Sequence, residues 1–215
     1  MKRFIPVHAG ALALGLLAAL AGPARGATVL RLTFEELTAR ADAVVRGRVV
    51  GSAARMDQAA GRITTFTEVE VAEALKGAPG KKLTVRQPGG EVGGIGQSVP
   101  GAARFAPGEE VVLFLERVPG DAPVYQVLSL SAGKVRLEKK LSTLRAVRDL
   151  DGIHFPDQPP APPAAAAARP PAAGASKPAA PSGVKVVSSE DLGDAQQFLG
   201  RIRAAAASAK KAVKP

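Results

Sequence analysis

"EEVVLFLERV", residues 109–118, sets five consecutive apolar side chains, Val111 to Leu115, between charged ends. A half-exposed strand alternates apolar with polar residues, so an unbroken short run bounded by charge reads as a central strand buried on both faces. The segments before it alternate instead. AVVRGRVVG (residues 43–51) sets Val45, Gly47 and Val49 against Val44, Arg46 and Arg48. RITTFTEVEVAEAL (62–75) sets Ile63, Thr65, Thr67, Val69 and Val71 against Thr64, Phe66, Glu68 and Glu70. KKLTVRQ (81–87) puts Leu83 and Val85 on one face and Lys82, Thr84 and Arg86 on the other. This period of two marks half-buried strands.

After the apolar run, VYQVLSLS (124–131) and KVRLE (134–138) predict a hairpin around Ala132-Gly133. LRAVRDLDGIHF (144–155) reads as strand, turn, strand through Asp151-Gly152. In LTFEELTARADAVV (32–45), Thr33 stands three residues before Glu36, the spacing of a capping box, and Leu37 and Ala41 follow Phe34 at helical spacing. The expected fold is mainly β, a small OB-like barrel with a short N-terminal helix, a disordered Pro/Ala tract and a C-terminal helix.

Four segments follow. Residues 1–26 carry the basic pair Lys2 and Arg3, an Ala/Leu/Gly run from Ala9 to Ala21, and small residues at Ala24 and Gly26. They read as a secretory signal peptide cut before Ala27, which places the protein in the periplasm or outside the cell. Residues 27–155 are the barrel domain. Residues 156–183 are almost wholly Pro, Ala, Gly and Ser and read as a disordered linker. Residues 184–215 hold a strand-like step, then a helix with a basic tail; in SSEDLGDAQQFLGRIRAAAASAKKAV (188–213) a serine N-cap precedes acids and Leu192, Ala195, Leu199 and Ile202 form a stripe. That helix either covers the barrel or docks a partner from its tether.

The chain has no cysteine, which closes both lipid anchoring and disulfide stapling and leaves an apolar core to hold the domain. No second apolar stretch approaches the length of the first, so no integral membrane segment is expected after cleavage. Loss of residues 1–26 removes three basic residues and no acid from a formal net charge of +10. The remaining basic balance favours an anionic envelope polysaccharide or an unidentified protein as partner. With seven Phe, one Tyr and no Trp, the aromatic platforms that single-strand nucleic-acid readers need are scarce.

The census of reactive side chains argues against an enzyme. Only His8 and His154 exist, so no His/Cys metal site can form within one chain and no metal is expected. Ser131-Ala-Gly-Lys134 matches S-x-x-K but lacks the partner motifs of that chemistry. Glu68 and Glu70 share a strand face, as a solvated face also would. PGGEVGGIGQSVPG (88–101) has six glycines, yet their spacing fits neither nucleotide fingerprint and no helix start follows, so no cofactor is expected. The stretch reads as a long, mobile connection between strands. As the place where a partner can approach backbone, Gly89, Gly90, Glu91, Gly93, Gly94 and Gly96, with Arg46, Arg48 and Arg86, form the expected contact surface.

ADAVVRGRVVG, TEVEVAEALKG, LTVRQPGG and VPGAARFAPGEEVVLFL, in that order, resemble a widespread group of uncharacterised exported bacterial proteins. The order is also similar, more distantly, to the OB-like barrel of tissue inhibitors of metalloproteinases and netrin-type modules. That second resemblance implies a fold only, because inhibition there uses an N-terminal cysteine that this chain lacks. The expected function is a non-enzymatic binding or interaction module of the cell envelope. The alternatives are a hydrolase using carboxylates or the Ser/Lys pair, and a protease inhibitor of unfamiliar mechanism.

Overall fold

The computed structural model describes residues 27–58, 61–120, 123–155, 185–186 and 189–212. The signal-peptide and Pro/Ala-linker readings lie outside the described residues. The fold is mainly β with two helices. Strands are β1 (Ala27–Thr28), β2 (Ala43–Asp57), β3 (Arg62–Lys76), β4 (Lys82–Pro88), β5 (Gly90–Val92), β6 (Ile95–Gln97), β7 (Glu110–Arg117), β8 (Val124–Val127), β9 (Lys134–Lys140), β10 (Thr143–Asp149), β11 (Ile153–Phe155), β12 (Lys185–Val186) and β13 (Ser189–Asp194). The helices are α1 (Phe34–Arg40) and α2 (Ala195–Ala212).

The main sheet runs β13-β10-β9-β7-β2-β3-β4-β8, and β7 also pairs β8, so the hydrogen-bonded path β7-β2-β3-β4-β8 returns to β7. Val111, Leu113 and Leu115 of β7 share one face and pack with Val45, Val69 and Val85. Val112 and Phe114 face the other way, into a layer built by Phe34 and Leu37 of α1 and Phe198, Leu199 and Ile202 of α2. Both faces are thus covered, as the apolar run of β7 demands. α1 starts where the sequence places it: the Thr33 side chain accepts from Glu36 N at 3.1 Å and Glu36 Oε2 accepts from Thr33 N at 2.8 Å.

Two local readings are corrected. No hairpin forms around Ala132-Gly133. β2 takes one edge of β7, and the opposite edge is divided, with β9 beside Val111–Leu113 and β8 beside Leu115–Arg117. β8 and β9 therefore run in the same direction, separated by a short 3-10 turn at Leu130–Gly133. A Cβ on Gly133 would sit 2.0 Å from the Leu128 carbonyl oxygen, so only glycine passes there. The break diverts one stretch of chain from β4 to β10 and lets the sheet extend beyond the closed path. The hairpin that does form joins β9 to β10 through Leu141-Ser142.

The second correction concerns the start of α2. Ser189–Asp194 is an edge strand on β10, where Arg148 Nε donates to Glu190 at 3.1 Å and Arg145 to Asp191 at 2.9 Å. Asp194, not a serine, caps the helix and accepts from Gln196 N at 2.8 Å and Gln197 N at 3.1 Å. α2 then folds back onto the sheet, with Ala195, Leu199 and Ile202 buried.

Leu141 is 99% exposed and has φ +54°. A leucine there costs about 1–2 kcal/mol that glycine avoids, against an entropic cost for glycine of about 0.5–1 kcal/mol. Leu141→Gly should therefore raise the melting temperature by roughly 2–4 °C in scanning calorimetry. An unchanged or lower value would contradict the turn assignment.

Candidate binding site

The glycine-rich stretch is more than a connection between strands: it forms a hairpin of its own, β5–β6. Gly93 and Gly94 have φ +59° and +78° and make a two-residue turn between Val92 and Ile95, the left-handed pair that tight hairpins favour. The β5–β6 hairpin is pinned to the start of β3. Gly89 N donates to the Ile63 carbonyl at 2.8 Å, Thr65 Oγ1 donates to the Gly89 carbonyl at 2.6 Å, and Ile63 N donates to Gln97 Oε1 at 2.7 Å. Gly90 passes so close that a Cβ would lie 2.4 Å from Thr65 Oγ1.

Between this hairpin and residues 98–105 lies a groove of about 560 Å³. Its floor comes from Thr65 and Thr67 on β3 and Gln87 on β4, with the exposed Ser52 of β2 at the rim. Thr67 is fully buried, and its Oγ1 lies 2.8 Å from Ser52 Oγ. The Gln87 amide donates to the Ala103 carbonyl and ties the far wall to β4. Thr65, Thr67 and Gln87 occupy inward positions in register with Val69, Leu83 and Val85, where the strands otherwise place apolar side chains. Of the lining residues only Glu91 and Arg104 are charged.

The expected contact residues divide into three sets. Gly89, Gly90, Glu91 and Gly96 line the groove, and Gly93 and Gly94 form the tip of its hairpin. Arg46 and Arg48 lie elsewhere on β2: Arg46 is bonded to Glu110 at 2.7 Å and Arg48 donates to the Gly108 carbonyl at 3.5 Å. Arg86 lines a different depression with Arg62, Glu116 and Gln126. The three strands are neighbours, but acids interleave with the bases, since Lys82 pairs Glu68 at 2.9 Å and Arg203 pairs Glu73 at 2.8 Å. What the sequence reading left out is the polar floor. Its signal was there: threonines at inward positions of an alternating strand between Ile63 and Val69.

Behind the groove, Lys134 is 5% exposed, and its ammonium reaches the Glu109 carboxylate at 2.8 Å and the Arg104 carbonyl. Burial pushes its amine below the ordinary lysine value, while the Glu109 hydrogen bond and charge act upward. Ser131 sits in the 3-10 turn rather than at a hairpin tip. Among the described residues no cluster of three metal-ligating side chains occurs, and no helix is long and apolar enough to cross a membrane.

Several carboxylates that clamp the outer elements are held below their ordinary values. A backbone hydrogen bond and Arg201 lower Glu35, the Arg203 hydrogen bond lowers Glu73, and the Gly193 N–H and Arg145 lower Asp191. A depressed acid stabilises the fold above its unfolded value and loses that contribution as pH falls through its folded one. Melting temperature should accordingly decline as pH drops below about 4, and Glu73→Gln should flatten the decline. A profile of unchanged steepness in that variant would show that the Arg203 pair contributes nothing.

No protein-family model matches this chain, and no curated protein is similar to it.

Proposed function

We propose that this chain is an exported, non-enzymatic binding module of the cell envelope that holds a polysaccharide segment in the groove beside the β5–β6 hairpin. The observation that carries the reading is the groove floor. Burying hydroxyl and amide groups is costly unless they are partnered, and sites for polar ligands are built from a few such groups fixed on rigid strands. Thr67 and Gln87, with the half-buried Thr65, meet that description, and Ser52 and the Gly89 and Gly90 backbone lie at the rim. Hydroxyls and amides match the groups a glycan offers.

The closed pairing path supports reading the fold as an OB-like barrel, of the kind shared with exported bacterial proteins of similar motif order. OB-folds bind oligosaccharides with strand residues and the loops between them, and this groove likewise joins residues of β3 and β4 to those of the 88–105 segment. Residues 1–26 and the absence of cysteine support export without a lipid anchor. A hydrolytic role has less behind it. Lys134 Nζ is committed to Glu109 and the Arg104 carbonyl, no hydrogen bond joins it to Ser131 among the described residues, and Glu68 is bonded to Lys82.

Co-sedimentation with purified peptidoglycan tests the proposal. The full chain should pellet, Ser52→Trp at the exposed rim should cut the bound fraction at least about tenfold, and Arg48→Ala should change it by less than about twofold. Pelleting of Ser52→Trp at the unmodified level would refute the groove, and loss of binding in Arg48→Ala alone would move the site to the outer arginines.

A further inference from the structure

The loop that walls the groove has a second side. Gly101, Arg104, Ser131, Lys134, Asp149 and Asp151 are among the residues lining a separate cavity of about 150 Å³. Ser131 is 6% exposed, and among the described residues its Oγ has no hydrogen-bond partner. Leaving a buried hydroxyl unpaired costs about 1–3 kcal/mol. The two residues before it, Ser129 and Leu130, have φ +59° and +57°, the left-handed conformation that costs a non-glycine residue about 1–2 kcal/mol. An orphaned polar atom and stored backbone strain thus fall at one place, a coincidence typical of functional sites.

The charges around the cavity are of both signs. Lys134 is fixed over the Phe105 ring, 4.7 Å from its centroid, and its ammonium is oriented by Glu109 and the Arg104 carbonyl. With Arg104 it supplies two cations to the lining, and Asp149 and Asp151 supply two carboxylates. A lone anion would meet the aspartates, and a lone cation would meet the lysine and arginine. A small molecule bearing both charges meets neither objection. The volume restricts it to a few heavy atoms beyond its charged groups.

We infer that this cavity binds a free α-amino acid with a small side chain, its carboxylate toward Lys134 and Arg104, its ammonium toward Asp149 and Asp151, and the Ser131 hydroxyl as its hydrogen-bond partner. The inference does not rest on the polysaccharide reading, although Arg104 lines both the groove and this cavity.

Titration of the isotope-labelled full chain with alanine, acetate and methylammonium, followed at the amides of Gly101, Ser131 and Gly152, tests it. Alanine should give saturable shifts with a millimolar dissociation constant, at least about tenfold tighter than either singly charged probe. Ser131→Ala should weaken alanine at least about tenfold while leaving the melting temperature equal or higher, since it removes an unpaired hydroxyl. Asp151→Asn, at an exposed position, should weaken it comparably. Absence of saturable shifts with alanine, acetate binding as tight as alanine, or wild-type affinity in Ser131→Ala would each overturn the assignment.

Discussion

Phe114→Ala is expected to cost about 3–5 kcal/mol of folding free energy, the range for removing a fully buried phenylalanine from a packed core. Phe114 is 0% exposed. Its ring lies 5.8 Å from that of Phe34, which in turn meets Phe198 edge-on at 4.9 Å. One side chain of β7 therefore joins the sheet to both helices, which are far apart in sequence. Domains of this size are stable by only about 5–15 kcal/mol, so the variant should unfold at a markedly lower urea midpoint. A loss under about 1 kcal/mol would mean that the helices do not rest on the sheet as described.

Glu109→Ala should be comparably damaging, at about 3–5 kcal/mol, for a different reason. The Glu109 and Lys134 side chains are only 13% and 6% exposed and lie 2.8 Å apart. Removing one partner leaves a buried, uncompensated charge, whereas replacing both with apolar groups is close to neutral. The double variant Glu109→Ala/Lys134→Met should consequently be more stable than Glu109→Ala alone in chemical denaturation. If the double variant is the less stable of the two, the penalty does not come from the stranded ammonium.

What the sequence disclosed and what it concealed follow from the range of the interactions. Val111 to Leu115 announces a strand buried on both faces because each of its own side chains must be covered. Thr33 and Glu36 announce a helix start because both capping bonds fall within three residues. The turn at Leu130–Gly133 was unreadable in this way. Ala132-Gly133 between two apolar stretches has the local look of a hairpin, and only the sharing of one β7 edge by β8 and β9 makes it a break in a continuing strand. The start of α2 was concealed likewise: Ser188-Ser189-Glu190-Asp191 resembles a cap, but Arg145 and Arg148 of β10 draw those acids into a strand.

The site was half legible. The glycines marked where backbone comes close, and Gly89, Gly90 and Gly96 do line the groove. The arginines were misleading because charge seen along one strand omits the acids on its neighbours, such as Glu110 beside Arg46. The alternation places Thr65 and Thr67 on the inward face but not in a site, because a polar residue at an inward position gains its meaning only when the facing wall is known.

Amide-shift mapping of the isotope-labelled chain with soluble peptidoglycan fragments separates the groove from the outer arginines. Saturable shifts are expected at Ser52, Thr65, Thr67, Gln87, Gly89 and Gly90, with Arg46 and Arg48 unaffected. Shifts confined to Arg46, Arg48 and their neighbours, or no saturable shift at the groove, would contradict the proposed site.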